Sequence, residues 1–587
     1  MSGRDTVGTL RAVLAALAVL ALAGCSSVAP WPAPDQGGIA TELAACDDWF
    51  AALDAQVELA GVRDAGAARV KGFPYLRVDR FTAALRDAIM PNAADTTGNA
   101  GQTALVQRLL QLDLQARSLE ITNLPAPARA RLDSGSGSGT GSGTDAADVA
   151  VMLAHTQRCA HRLAGADLAT PARMAALLDR LSVPDAYVTG YRIAGLYALS
   201  QLPFGIGVRR FEASQYAAFA HDAAPPAGAI RMRLSPPARP PPDSVSAARL
   251  RDMLASAPDD PLRVPAPSPA QLELLFAQFA PSFEIDVASD DDRPGALVWR
   301  AGAAGDASAT LEVDSTDPVV YRQTAYTRYG AYNLLQLVYT LWFPARTAAP
   351  GGALDLLAGK LDGLVFRVTL APDGTPLVYD SMHPCGCFHM FFPTAAARAK
   401  PAPVAGIEWA FSPQSLPAIR AQDHLVLRVA AGTHYLQRIS VEPIDGATHY
   451  GWRDYDELRS LPAGPAARRS VFGPDGFIAG TDRAEAWLFW PMGIARAGAM
   501  RQWGRHATAF VGRRHFDDAD LMQQRFEFDP AHWRRLAAAA AVAPLPGSSG
   551  ICNGRSAAHR QRARRPAPAL RHDPRRAFRR RATRAGP

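Results

Sequence analysis

No nucleotide-binding, haem-attachment or hydrolase signature occurs in these 587 residues. The missing C-x-x-C-H argues against covalent c-type haem, and the missing C-x-x-C against thioredoxin-like exchange. H-E-x-x-H, G-x-S-x-G and the Walker loop are absent too, so zincin, nucleophile-elbow and P-loop chemistry have no support. No internal repeat is evident. The apolar run near the start, Val13 to Leu22, is far shorter than the ~20 residues a membrane-spanning helix needs. Lysine is missing from the last 41 residues, although they are strongly basic.

That basic end explains the chain's charge. Residues 547–587 hold twelve Arg and one acid, Asp573, a net +11 against +7 for the whole chain, so the remainder carries −4. An Arg-rich arm ordinarily suggests nucleic acid or an anionic surface. The Arg-Ala-Pro composition without Lys also fits an out-of-frame reading of GC-rich DNA. The segment is expected to stay disordered and to add no core.

At the other end, Arg4 and Arg11 precede the apolar run, which gives way to small residues, the layout of a secretory signal. The stretch Leu22-Ala23-Gly24-Cys25 resembles the lipobox of bacterial lipoproteins. The resemblance covers only these first residues. It implies cleavage before Cys25, lipidation of that cysteine and a body facing the periplasm or the cell surface. Ser26 follows, where an Asp would mark inner-membrane retention under the enteric sorting rule, so the outer membrane is the expected destination. Export also argues against a nucleic-acid partner for the tail.

Between the ends the pattern predicts an α+β protein. Residues 1–24 read as the signal peptide and 25–39 as an anchor linker. Cys46, Trp49, Phe50, Leu53 and Val57 recur at spacings of three and four, one face of a helix, and Val149, Met152, Leu153, Cys159 and Leu163 behave similarly. A helical domain is therefore expected over 40–221, interrupted by a flexible Gly/Ser/Thr loop at 134–144. Cys46 and Cys159 are its only cysteines, each on an apolar stripe. In an oxidising compartment they are expected to form a disulfide. The Pro pairs between Pro225 and Pro242 predict an extended linker over 222–264.

Beyond it, a β-rich α+β domain is expected over 265–546. Leu334 to Phe343 is apolar on both alternating faces, as in a central strand. Leu364 to Leu370, the turn Pro372-Asp373-Gly374 and Leu377 to Asp380 predict a hairpin, and Leu425 to Val441 predicts a second. Helices are expected at Gln271–Phe279 and Asp518–Phe526. Asp290-Asp291-Asp292 reads as a solvated turn lacking the Gly and terminal Glu of an EF-hand loop. Trp487 to Pro491 reads as buried strand, or as the lining of a ligand groove.

The densest set of potential ligands is His383-Pro384-Cys385-Gly386-Cys387-Phe388-His389. Thiolate and imidazole suit zinc, copper or iron, so His383, Cys385, Cys387 and His389 are candidate metal ligands. On a regular strand, residues two apart lie about 6.6 Å apart, too far for one tetrahedral ion, so a straight segment cannot supply all four. A bend at Pro384 and Gly386 eases this. Alternatively two come from here and others from His434, His506 or His515. Cys385 and Cys387 are also candidates for a strained redox disulfide, or for a nucleophile beside His383 or His389. The flanking Phe388, Met390, Phe391 and Phe392 equally suit a packed core with no chemistry.

The sequence thus points to an envelope lipoprotein that binds a small ligand or an envelope protein partner. The alternative is a metal- or thiol-dependent enzyme centred on 383–389. Cys25→Ser is expected to release the protein from membranes or leave it as an unprocessed precursor. Unchanged fractionation and mass would remove the lipobox reading.

Overall fold

A computed structural model describes residues 39–542, apart from 90–96, 136–144, 222–224, 238–239, 241–244, 301–308, 349–354, 418, 420–422, 443–447 and 466. The signal segment with Cys25, most of the expected flexible loop and the basic tail lie outside the described residues.

The N-terminal layer is built from α1 (Ile39–Ala60), a hairpin of β1 (Ala68–Val70) and β2 (Phe73–Val78), α2 (Arg80–Ile89), α3 (Thr97–Asn123), α4 (Ala126–Gly135), α5 (Asp145–Leu168) and α6 (Pro171–Arg180). The stripe predicted on α1 is buried, with Phe50, Leu53 and Val57 fully enclosed. It faces α5, to which it is tied by the Cys46–Cys159 disulfide and by Trp49 Nε1 donating to Thr156 Oγ1 at 3.1 Å. Closing so long a loop is worth about 4 to 5 kcal/mol in the chain-entropy model. Behind it runs a buried ionic network: Arg77 meets Asp113 at 3.1 Å and Glu120 at 2.7 Å, and Arg117 meets Asp113 and Glu120 at 3.4 and 3.3 Å. Two cations against two carboxylates leave no buried charge without a partner there.

This layer's core ends near Leu181, short of the expected boundary at 221. α7 (Thr189–Ala194) and α8 (Tyr197–Ala220) lie instead on the C-terminal part, beginning where Val188 N donates to Gly493 O at 2.7 Å. The expected linker also fails as a linker. Residues 230–235 form β3 (Ile230–Ser235), which pairs with β4 (Ser282–Val287), and α9 (Ala247–Met253) buries Leu250 and Met253. The Pro pairs bracket a strand because β3 supplies backbone groups that β4 needs. The described residues up to Leu536 therefore belong to one compact unit.

α10 (Pro269–Phe279) is capped by Ser268 and Gln271 in a reciprocal capping box, which fixes its start. β5 (Ala296–Arg300) and β6 (Thr310–Asp314) make a small ribbon. The centre is a six-stranded sheet of β7 (Val319–Tyr329), β8 (Tyr332–Arg346), β9 (Gly359–Leu370), β10 (Pro376–Met382) and β11 (Met390–Pro393), closed at the far edge by the parallel β16 (Gly451–Asp454). β12 (Ala397–Ala399) pairs with residues 526–528. β13 (Leu425–Val429), β14 (Leu436–Val441) and β15 (Thr448–His449) complete a five-stranded sheet with β3 and β4, in the order β14-β13-β4-β3-β15.

Both predicted hairpins are present, with Asp380 opposite Arg367 and Leu427 opposite Ile439. The two sheets and α10 share one core, in which Leu337, Tyr339 and Leu341 of β8 meet Phe283 and Leu427. Trp342, at the other face of β8, packs with Tyr321 and Met500 in a second core. The double-sided apolar run is thus explained by burial on both faces. The helix expected at 518–526 is shorter, Leu521–Arg525; Phe526 and Phe528 then alternate into a core as strand residues.

Candidate functional site

The segment 383–389 connects β10 to β11 as a tight loop. His383 N donates to Cys387 O at 3.0 Å and Gly386 N to His383 O at 2.8 Å. Gly386 adopts φ +93°, and a Cβ there would lie 2.6 Å from Ala507 O, so the loop requires glycine.

The bend separates the four candidate ligands. His383 turns to Asp362 on β9, with Nδ1 3.0 Å from Oδ1. His389 turns to Asp380 on β10, with Nε2 2.9 Å from Oδ2 and Nδ1 3.3 Å from Thr508 Oγ1. Cys385 and Cys387 are both buried and unbridged, packed in the core around Trp342 and Met500. The four do not converge on one point, and among the described residues no group of three or more His, Cys, Asp or Glu is arranged to hold a metal ion. His506 and His515 are occupied elsewhere, by Pro384 O and by Asp185 with Asp518.

The distant histidine that does arrive is His434, from the β13–β14 turn. Its Nδ1 lies 3.0 Å from Asp362 Oδ2 and its Nε2 3.3 Å from Asp292 Oδ1. The result is a buried relay, Asp292–His434–Asp362–His383, with each carboxylate shared or further bonded. Asp292 also accepts from Ala288 N at 2.8 Å, Ser289 N at 2.9 Å and Gly432 N at 2.5 Å. The acidic triplet is therefore not uniformly solvated: Asp290 is exposed and Asp291 half-buried, while Asp292 is buried because its acceptors satisfy three backbone donors.

Burial disfavours charge on Asp362, yet the two imidazoles prevail and hold its carboxyl well below the usual range. His434 is pushed up: burial opposes its charge, but bonds to Asp292 and Asp362 outweigh it. His383 is pushed down by burial, against the pull of Asp362. The two rings of the relay are thus shifted in opposite directions. His383 Nε2 is buried without a hydrogen-bond partner, the arrangement in which a carboxylate-oriented imidazole can accept a proton.

Around it the backbone is strained. Of six non-glycine residues with positive φ among the described residues, Leu361 (56°), Phe388 (60°) and His434 (52°) lie in or beside this relay. The rings of Phe388 and Tyr435 stand 5.0 and 5.6 Å from His383, and Phe211 of α8 covers them at 5.1 and 5.6 Å. Arg346 donates to Tyr435 Oη at 3.1 Å.

The thiols interact with each other: a hydrogen bond from Cys387 lowers Cys385, and the same bond raises Cys387 well above its usual range. Glu485 is buried nearby. Burial lifts its carboxyl to about 7, although Arg483, Arg346 and Arg501 pull the other way.

A second candidate is an open cleft of about 420 Å³ between the N-terminal layer and β7. Gln111 and Gln115 of α3 face Gln323 of β7, Asp454, Trp503 and Asp517 across it. The rings of Phe81 and Tyr326 stack at 5.1 Å in its wall. Gln323 Nε2 is buried without a partner, and burial raises the Asp454 carboxyl. Four aspartates and three arginines line the cleft, so it carries little net charge.

No protein-family model matches the chain, nor does any curated protein or solved structure.

Asp362 had one sequence signal, a lone carboxylate inside the apolar strand run from Leu361 to Phe366. Asp292, Arg346 and Glu485 had none, and neither did the cleft. The aromatic stretch at 487–491 is no buried strand: α11 (Ala486–Phe489) leads into a 3-10 turn and leaves Trp487 86% exposed.

Glu485 gives the titration test. A carboxyl raised on folding favours the native state while protonated, so that stability is lost as pH climbs from the unfolded value of 4.5 through about 7. Glu485→Gln is expected to raise the melting temperature above pH 7 and to give no gain below pH 4.5. An equal effect at both ends of a melting series would show that burial does not control this group.

Proposed function

We propose that the protein is an exported, lipid-anchored envelope lipoprotein whose folded body binds a hydroxyl-rich ligand, an oligosaccharide in class, in the cleft between α3 and β7. The observation that carries this reading is the buried, unpartnered Gln323 Nε2 in the wall of that cleft. Amide side chains both donate and accept, as sugar hydroxyls require, and aromatic faces offer apolar area to sugar C–H groups. The near balance of aspartate and arginine disfavours a polyanion. Outer-membrane delivery, inferred from the lipobox resemblance, would put the cleft beside envelope glycans.

The test is calorimetric titration with soluble peptidoglycan fragments and neutral oligosaccharides. One class is expected to bind, and Gln323→Leu to weaken it about tenfold, roughly one hydrogen bond's worth of about 1.4 kcal/mol. No binding by any of these probes, or binding indifferent to Gln323→Leu and Gln111→Leu, rejects the reading.

A second reading, metal- or thiol-dependent catalysis at 383–389, is favoured by one observation, the strained backbone gathered at Leu361, Phe388 and His434. In that case Cys385, the thiol with the lowered pKa, should alkylate before Cys387 in native protein, or the protein should carry metal by elemental analysis without a His-tag. Metal-free protein with both thiols unreactive would eliminate it.

A further inference from the structure

Ten of the sixteen exposed large apolar side chains among the described residues lie in two short stretches, Val188 to Ile206 and Trp487 to Trp490. The stretches touch. Tyr191 meets Trp490 edge-on at 6.2 Å, Phe204 meets Phe489 at 5.2 Å, and the backbones are so close that a Cβ on Gly195 would lie 2.5 Å from Pro491 Cβ. On α8 the outward stripe is Leu199, Leu202 and Ile206, at spacings of three and four, and Ile193 of α7 and Leu196 between the two helices extend the exposed apolar surface.

This inverts the usual surface helix, whose apolar stripe faces the core. α8 has an inner face as well, where Phe211 packs on Phe388 and Tyr435, so the outward stripe is surplus to what the fold requires. Leu199 and Leu202 are about two-thirds exposed.

Within the stripe itself the charges are of one sign, and the first acid beyond it is the half-buried Glu212. From Val188 to Phe211 there is no acid, while Arg209 and Arg210 follow the stripe and are exposed. Arg192 turns inward, donating to Met492 O at 2.8 Å and Gly512 O at 2.6 Å, and so adds no carboxylate-paired rim. Aliphatic side chains flanked by tryptophan, tyrosine and arginine, with no acid within the stripe, match the chemistry of a bilayer interface: acyl chains for the stripe, the headgroup level for the indoles and anionic lipid for the guanidinium groups.

We propose that the face formed by α7, α8 and α11 docks onto an anionic phospholipid bilayer, independently of any acyl anchor and of what the cleft binds. The probe is sedimentation with vesicles of phosphatidylglycerol and phosphatidylethanolamine, using the chain from residue 25 onward with Cys25→Ser so that no acyl group is present. Removing residues 1–24 touches no described element. The chain should partition onto these vesicles, and Leu199→Glu with Leu202→Glu should reduce partition at least tenfold. Arg209→Glu with Arg210→Glu should weaken it several-fold at low salt, and less at high salt as charges are screened. Because all four side chains are exposed, the melting temperature should not move. Absent partition, partition unchanged in either double variant, or a dimer in solution that the leucine variant dissociates would overturn the proposal, the last by assigning the face to a second copy of the chain.

Discussion

Burying Asp362 in the middle of a sheet is the constraint on which the C-terminal architecture turns. A carboxylate taken out of water costs several kcal/mol unless its oxygens are paired. Asp362 is 1% exposed, and each of its oxygens receives one imidazole. Satisfying it draws together the β10–β11 loop, the β13–β14 turn and, through His434, the turn at 288–292. These three connections belong to two different sheets. The pairing thus sets how the ends of the sheets meet, while the shared apolar core supplies the bulk of the attraction.

The same pairing accounts for the local strain. His434 meets both Asp362 and Asp292 from a left-handed backbone conformation, and Phe388 adopts one where the loop reverses between His383 and His389. Such conformations cost of order 1–3 kcal/mol each and persist where the surroundings over-determine them. Here the surroundings are charge-assisted hydrogen bonds and stacked rings, with Phe343 lying flat on His434 at 3.9 Å. Removing one partner leaves the others buried and unpaired, so the cluster behaves as a unit.

A comparable ionic seam joins the N-terminal layer to the rest. Arg459 holds Asp64 with two contacts of 2.8 Å, Gln502 adds a third at 2.9 Å, and Asn123 Nδ2 donates to Arg459 O. Arg459 overcomes the effect of burial and lowers Asp64 to about 2. These bonds span more than 300 positions in the chain, which is why a proline-rich stretch between the two parts does not act as a hinge. The polar cleft opens along this seam, and its lining comes from both sides because neither side alone encloses it.

Local periodicity sufficed for much of the fold: the apolar stripe of α1, the double-sided strand β8, both hairpins and α10 follow from residues close in sequence, because burial and turn chemistry act over a few positions. The candidate ligands at 383–389 were also legible as residue types. Their partners were not, since Asp362, Asp292, Arg346 and Glu485 lie far away in the chain and pairing of buried charge is decided by which strands become neighbours. Composition likewise misread two segments: the proline-rich stretch is part of a sheet because β3 pairs with the edge of β4 that β13 leaves open, and Trp487 lies outside on a short helix. The sequence by itself determined the elements and their apolar faces; tertiary structure alone decided which polar groups meet, because electrostatic pairing depends on distance in space and carries no period along the chain.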